Sequence, residues 1–226
     1  MSIIRKSKLF MLLAALLAIF VSGSAAEAVL SRQDAWEVWD KVARATDLTK
    51  LPFNVKEEKV PNAWVENGSS VTVTTGLLNL LDKQSELFGV LAHEAGHVKL
   101  NHYEGTVSKN TGLALGAAVL GNILGGGFGQ VAANVGANLA AAGFSREQEV
   151  AADDYSVKLA FENGEDTVGM YSAMQKLSAL GGKLEPNGFN SHPPDERRLL
   201  HIRNEILKYN PDAVFPDPPV KNTIDG

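Results

Sequence analysis

Inside a helical periodicity that runs from about Ser85 to Tyr103, with Leu87, Val90, Leu91, Ala95 and Val98 on one face, the chain reads His93-Glu94-Ala95-Gly96-His97. Four helical residues turn the chain by about 400°, so the two imidazoles stand one above the other and can share a cation. Glu94 lies one step round the helix, where it can take a proton from a water on that cation. Two ligands do not close a metal site. A catalytic zinc site takes three protein ligands and keeps a position for water, so the fold has to dock a second element on this helix at the level of the histidines.

One known arrangement places a third histidine six residues after the second, behind a glycine that breaks the helix; those positions here hold Tyr103 and Leu100. His102 is near, but on an unbroken helix it points well away from His97, and it is read as structural. The other arrangement draws a glutamate from a later helix, and Glu149-Val150-Ala151-Ala152-Asp153 offers one. Glu149 and Asp153 are four apart and share a face, so the first can bind the metal while the second accepts a hydrogen bond from a ligand histidine. Small Ala151 and Ala152 let this helix approach the first closely. An acidic helix face is usually plain solvation, but beside an intact His-Glu-x-x-His helix the ligand reading is the stronger.

The 226 residues contain no cysteine, which excludes disulfide scaffolds, thiolate zinc ribbons, iron-sulfur proteins and cysteine nucleophiles. At 45% hydrophobic the chain is also too apolar for a collagen-like or disordered protein. Residues 1–28 read as a secretory signal peptide: Arg5, Lys6 and Lys8 precede the apolar run Leu9 to Val21, and small residues surround cleavage points after Ala26 or Ala28. The run is shorter than the roughly 20 residues a membrane span needs; the alternative is an uncleaved segment tethering the protein to an inner membrane. Cleavage removes three basic side chains and one acidic, leaving the remainder more acidic than the −5 of the full chain. That balance argues against nucleic acid and against anionic lipid as the main partner, and the missing cysteine argues against a lipid anchor. Export without cysteine suits a periplasm.

Elsewhere, Ser31 caps an amphipathic helix carrying Ala35, Val38, Trp39 and Val42. A β-branched run, Val71 to Thr75, follows Asn67-Gly68 and predicts a small antiparallel sheet with a turn there. Residues 110–145 carry no charge and no histidine, with nine glycines, and Gly125-Gly126-Gly127 divides them. They read as a helical hairpin against the core, with peripheral membrane association or a true span as the other readings. Helical patterns return from Arg146 to Asn163 and from about Thr167 to Leu180. A Gly-rich loop leads to Ser191-His192-Pro193-Pro194 and a last amphipathic helix through Ile206; residues 210–226, rich in proline and aspartate, read as a disordered tail. The fold class is therefore mainly α with a small antiparallel β-sheet (α+β), in one domain spanning 29–209.

Taken together, Asn62-Ala63-Trp64, Val73 to Leu78, His93 to His97 with His102, Arg146 to Asp153, and Ser191-His192-Pro193-Pro194 with Arg198 resemble the zinc metallopeptidases of the HtpX and CAAX prenyl protease type. The likeness is greatest to the secreted periplasmic LoiP- and BepA-like branch. It covers roughly Asn54 to Ile206, and the order and spacing of its parts are specific. The resemblance implies a zincin-like (gluzincin) domain with one Zn2+ per chain, His93, His97 and Glu149 as ligands, Glu94 as general base and Asp153 behind the ligands. It further implies that His192 can reach the zinc as a fourth ligand and block water, a self-inhibiting switch, and that Arg198 steadies that loop or the transition state. Asn62, Ala63 and Trp64 resemble the edge strand along which an extended peptide pairs by its main chain. Protein or peptide substrates follow, with misfolded or unassembled envelope proteins as the family's task. The several membrane spans and the tetratricopeptide extension of larger members have no counterpart here, so prenylated substrates and a docking module are not expected. The rival reading is a non-hydrolytic zinc-dependent chaperone or assembly factor whose site His192 keeps closed.

Overall fold

The computed structural model describes residues 29–66, 68–102, 144–180, 192 and 195–218. The expected signal segment 1–28, the charge-free stretch as far as residue 143, the loop 181–190 and residues 219–226 lie outside the described residues.

Helix α1 (Arg32–Ala45) starts where the sequence places it. The Ser31 hydroxyl accepts from the Asp34 N–H and the Asp34 carboxylate accepts from the Ser31 N–H, a reciprocal cap. Its apolar stripe of Ala35, Val38, Trp39, Val42 and Ala43 is buried, each large side chain contributing roughly 1.5–3 kcal/mol by leaving water. Three strands follow, β1 (Phe53–Lys56), β2 (Ala63–Glu66) and β3 (Ser70–Thr74), in the order β1-β3-β2. The β2–β3 hairpin is antiparallel, as its turn residues require, but β1 pairs with β3 in parallel, so the sheet is mixed rather than wholly antiparallel. Turn chemistry specifies only the pairing of consecutive strands; the crossover from β1 to β3 has no local signature. β2 is left as an edge of the sheet, running beside the helix that bears the histidines.

A short helix, α2 (Thr75–Leu80), capped by Thr74, leads into α3 (Gln84–Lys99). Every residue of α3 from Glu86 to His97 is buried, so it is the central rod of the molecule and not a one-sided amphipathic helix. It packs against α1, α4 (Arg146–Glu162) and α5 (Gly169–Leu180), and α6 (Glu196–Tyr209) lies across α4 and α5. The approach of α5 is close: a Cβ on Gly89 would stand 2.5 Å from the backbone N of Met170. Ser156 of α4 donates to the Gly89 carbonyl at 2.7 Å, tying the two helices at mid-length.

Two expectations need revision. α3 does not run on to Tyr103: Leu100 caps it, and Asn101 adopts the left-handed region at φ 54°, a conformation asparagine tolerates better than most residues. The chain is also ordered beyond residue 210. Phe215 lies edge-on to Tyr171 at 4.9 Å and under the Arg203 guanidinium at 4.7 Å, so the tail docks on α5 and α6 as far as that ring. Proline and aspartate content marks solvation, not the single aromatic anchor that overrides it. No helix among the described residues is long and apolar enough to cross a membrane.

Candidate metal centre

α3 carries His93 and His97 one turn apart, and α4 begins so that Glu149 enters the same space from its first turn, where the helix dipole favours an anion. A third imidazole, that of His192, arrives from the segment just before α6. The Nε2 atoms of His93 and His97 are 3.1 Å apart. His192 Nδ1 stands 3.3 Å from His93 Nε2 and 2.8 Å from Glu149 Oε1. The Glu149 oxygens lie 3.5 Å from the Nε2 of each helix histidine, and the ligand atoms of all four residues fall within 4.8 Å of one another. Donors about 2.0–2.1 Å from a tetrahedral zinc stand roughly 3.3 Å apart, so the observed spacings fit one such cation. Three imidazoles and one carboxylate suit zinc and its transition-metal neighbours better than magnesium or calcium.

A second layer holds these donors. His93 Nδ1 is 2.9 Å from Asp153 Oδ1. Arg198, from the first turn of α6, donates to both Asp153 oxygens at 2.9 and 2.7 Å and places Nη1 2.9 Å from Glu149 Oε2. His102 Nδ1 is 2.9 Å from His97 Nδ1, and the Phe144 ring stacks on His97 with centroids 3.9 Å apart.

The charges follow from this crowding. Burial alone drives His93 toward neutrality, yet Asp153 and Glu149 overcome it and push its pKa up to about 9. His97 is held well below its ordinary value by burial and by the neighbouring His93 and His192. Burial raises the Glu149 carboxyl, but hydrogen bonds with His192 and His93 bring it well below the usual carboxylate range. Asp153 is lowered in the same way against its burial, by His93 and Arg198. In the metal-free protein the cluster thus keeps positive charge among its donors, which a divalent cation would replace.

Two buried glutamates of α3 differ sharply in their surroundings. Glu86 accepts from the Asp82 N–H at 2.8 Å, from Ser172 Oγ at 2.5 Å and from Lys176 Nζ at 2.8 Å. Glu94 is fully buried, and neither of its oxygens accepts a hydrogen bond among the described residues; His192 Nε2 is 3.6 Å away. A buried carboxylate left this way is costly, and such exceptions call for a functional reason.

Peptidase family M48 matches residues 30–206 of the chain. The chain belongs to peptidase family M48. It is 31% identical over 185 residues to the metalloprotease YcaL of Escherichia coli, covering 74% of this chain and 68% of that one. It is 32% identical over 173 residues to the metalloprotease LoiP of the same organism, covering 73% and 67%. The beta-barrel assembly-enhancing protease of Yersinia pestis is 29% identical over 184 residues, which are 75% of this chain and 37% of that protein. As an M48 member the protein is a metalloprotease, and its substrates are peptides or proteins.

In this M48 chain the structure brings together His93, Glu94, His97, Glu149, Asp153, His192 and Arg198. Asn62, Ala63 and Trp64 are not among them: Asn62 precedes β2, and in that strand, which packs against α3, Ala63 pairs with Val73 and Trp64 with Thr72. Arg198 turns all three guanidinium nitrogens to the α4 carboxylates Asp153 and Glu149 and so braces that helix face. Sequence reasoning missed Phe144 and misplaced His102, because both depend on where helices stop. The Ser145 and Gln148 capping pair was the available signal: it fixes the start of α4 just after Phe144. A second grouping of Asp154, His201 and Glu205 on the outer side of α4 and α6 is already satisfied, by a 2.6 Å His201–Asp154 contact and a Lys208–Glu205 ion pair.

Proposed function

We propose that the protein is a zinc endopeptidase in which His93, His97 and Glu149 hold the ion and Glu94 is the general base. The observation that carries this reading is Glu94 itself, buried without a hydrogen bond beside converging ligands from two helices. Zinc in this site supplies Lewis acidity, polarising a peptide carbonyl and acidifying water. Glu94 takes one proton from the attacking water as its oxygen bonds to the scissile carbonyl carbon. The carboxylic acid so formed then gives that proton to the amide nitrogen as the C–N bond breaks, leaving an amine end and a carboxylic acid end whose remaining water proton ionises to solvent. Asp153 and Arg198 keep His93 and Glu149 in place throughout. The outer edge of β2, which begins at Ala63 and pairs with no strand but β3 among the described residues, suits main-chain pairing with an extended substrate and makes little demand on its sequence.

His192 fits a closed state. Its Nδ1 joins the donor set and its Nε2 faces Glu94, while the imidazoles and Glu149 are all buried. With the ion bound, His192 would supply a fourth donor where water is needed, and activity would then require it to withdraw. The N-terminal pattern supports export to a periplasm, and misfolded or unassembled envelope proteins are the substrates this placement suggests. Glu94→Gln should retain zinc and lose cleavage of casein; hydrolysis at the wild-type rate would refute the base assignment. His192→Ala should cleave faster than wild type. If Glu94→Gln instead supports cell function as well as wild type, the protein acts as a zinc-dependent assembly factor and not through hydrolysis.

A further inference from the structure

His93 and His97 each show one ring nitrogen to the cluster and the other to a partner outside it. For His93 that partner is the Asp153 carboxylate. For His97 it is another imidazole, His102, whose Nδ1 lies 2.9 Å from His97 Nδ1. Several separate features deliver His102 there. α3 ends at Lys99, Asn101 turns the backbone at φ 54°, and Gln148 of α4 donates to the His102 carbonyl at 3.0 Å.

An N···N contact of this kind carries one hydrogen, and its direction decides what His97 does. If His97 donates through Nδ1, its Nε2 has a lone pair facing His93 and Glu149. If His102 donates, a neutral His97 must carry its hydrogen on Nε2, which then points an N–H at the place a cation would take. We propose that His102 is the positioning residue for His97: its Nδ1 accepts the His97 hydrogen, fixes the metal-ready tautomer and so raises affinity for the divalent ion. This rests on reading His97 as a ligand. The Phe144 face stacked on His97 limits ring rotation, which leaves the tautomer as the remaining freedom.

Three variants test it with Zn2+ alone as the probe. His102→Phe keeps a ring and loses the acceptor; His102→Asn returns an amide oxygen near the Nδ1 position; His102→Gln places its amide further out. Chelator competition should show zinc affinity falling about 10–100-fold in His102→Phe, the range for lost outer partners of metal-bound histidines, with His102→Asn recovering most of it and His102→Gln less. Nitrogen-15 spectra of the metal-free wild type should show the His97 hydrogen on Nδ1, and that preference should weaken in His102→Phe. Unchanged zinc affinity in His102→Phe, or a wild-type His97 protonated on Nε2, overturns the proposal. Should His102→Phe fail to fold, the wild-type spectrum and the Asn and Gln variants decide it. A wild type that binds no zinc refutes the ligand reading instead, and the tautomer measurement still judges His102.

Discussion

Replacing Arg198 by Met keeps an aliphatic stem and removes the guanidinium that joins two buried carboxylates. Nε and Nη2 hold Asp153 at 2.9 and 2.7 Å, Nη1 reaches Glu149 at 2.9 Å, and the Arg198 side chain is only 4% exposed. Removing one partner of a buried pair costs about 3–5 kcal/mol, because the other charge is left uncompensated. His93 still faces Asp153 at 2.9 Å, which sets the expectation near the lower end, about 3 kcal/mol in the metal-free protein. That is a large share of the roughly 5–15 kcal/mol typical of a folded domain. At roughly 2–4 °C per kcal/mol for a chain of this size, the midpoint should fall by about 6–12 °C. Thermal and urea unfolding followed by circular dichroism, with chelator present, measure it. Excess zinc should restore part of the loss by binding the native state. A drop below about 1 kcal/mol in chelator refutes the argument, since it would make the clamp worth no more than a surface ion pair.

Gly89→Ala should destabilise by about 1–3 kcal/mol despite alanine's better helix propensity, because the new methyl meets the Met170 backbone at 2.5 Å and must part α3 from α5; urea midpoints check it. Ser31→Ala removes the α1 cap and should cost about 1 kcal/mol at neutral pH. The Asp34 carboxyl is held below its ordinary 3.8 by hydrogen bonds from Ser31 and Gln84, so it stabilises the fold above that pH and the contribution is lost as pH falls through the lower folded value. The stability gap between wild type and Asp34→Asn should therefore narrow in acid, as urea titrations at neutral pH and below pH 3.8 would show.

Much of the candidate site is legible in the sequence because its clustered side chains obey helical spacing. His93 and His97 share a face by being four apart, and Glu149 and Asp153 do so again. Ser31 marks the start of α1 through its cap. What stays hidden depends on distant contacts or on chain ends. The parallel pairing of β1 with β3 joins strands that are not neighbours in sequence. α3, buried on all sides, has no polar face to show where it stops, so the turn at Asn101 that carries His102 back to His97 leaves no periodic trace. The family resemblance ties Arg198 to a loop or a transition state, and only the docking of α6 on α4 shows its nitrogens reaching Asp153 and Glu149.

The most direct test is elemental analysis of purified wild type beside Glu149→Gln and Glu94→Gln. About one zinc per chain in the wild type and in Glu94→Gln, with most of it lost from Glu149→Gln, is the expected pattern for a single tetrahedral site. Equal zinc in Glu149→Gln, or a metal-free wild type that still cleaves peptides in chelator, would contradict it.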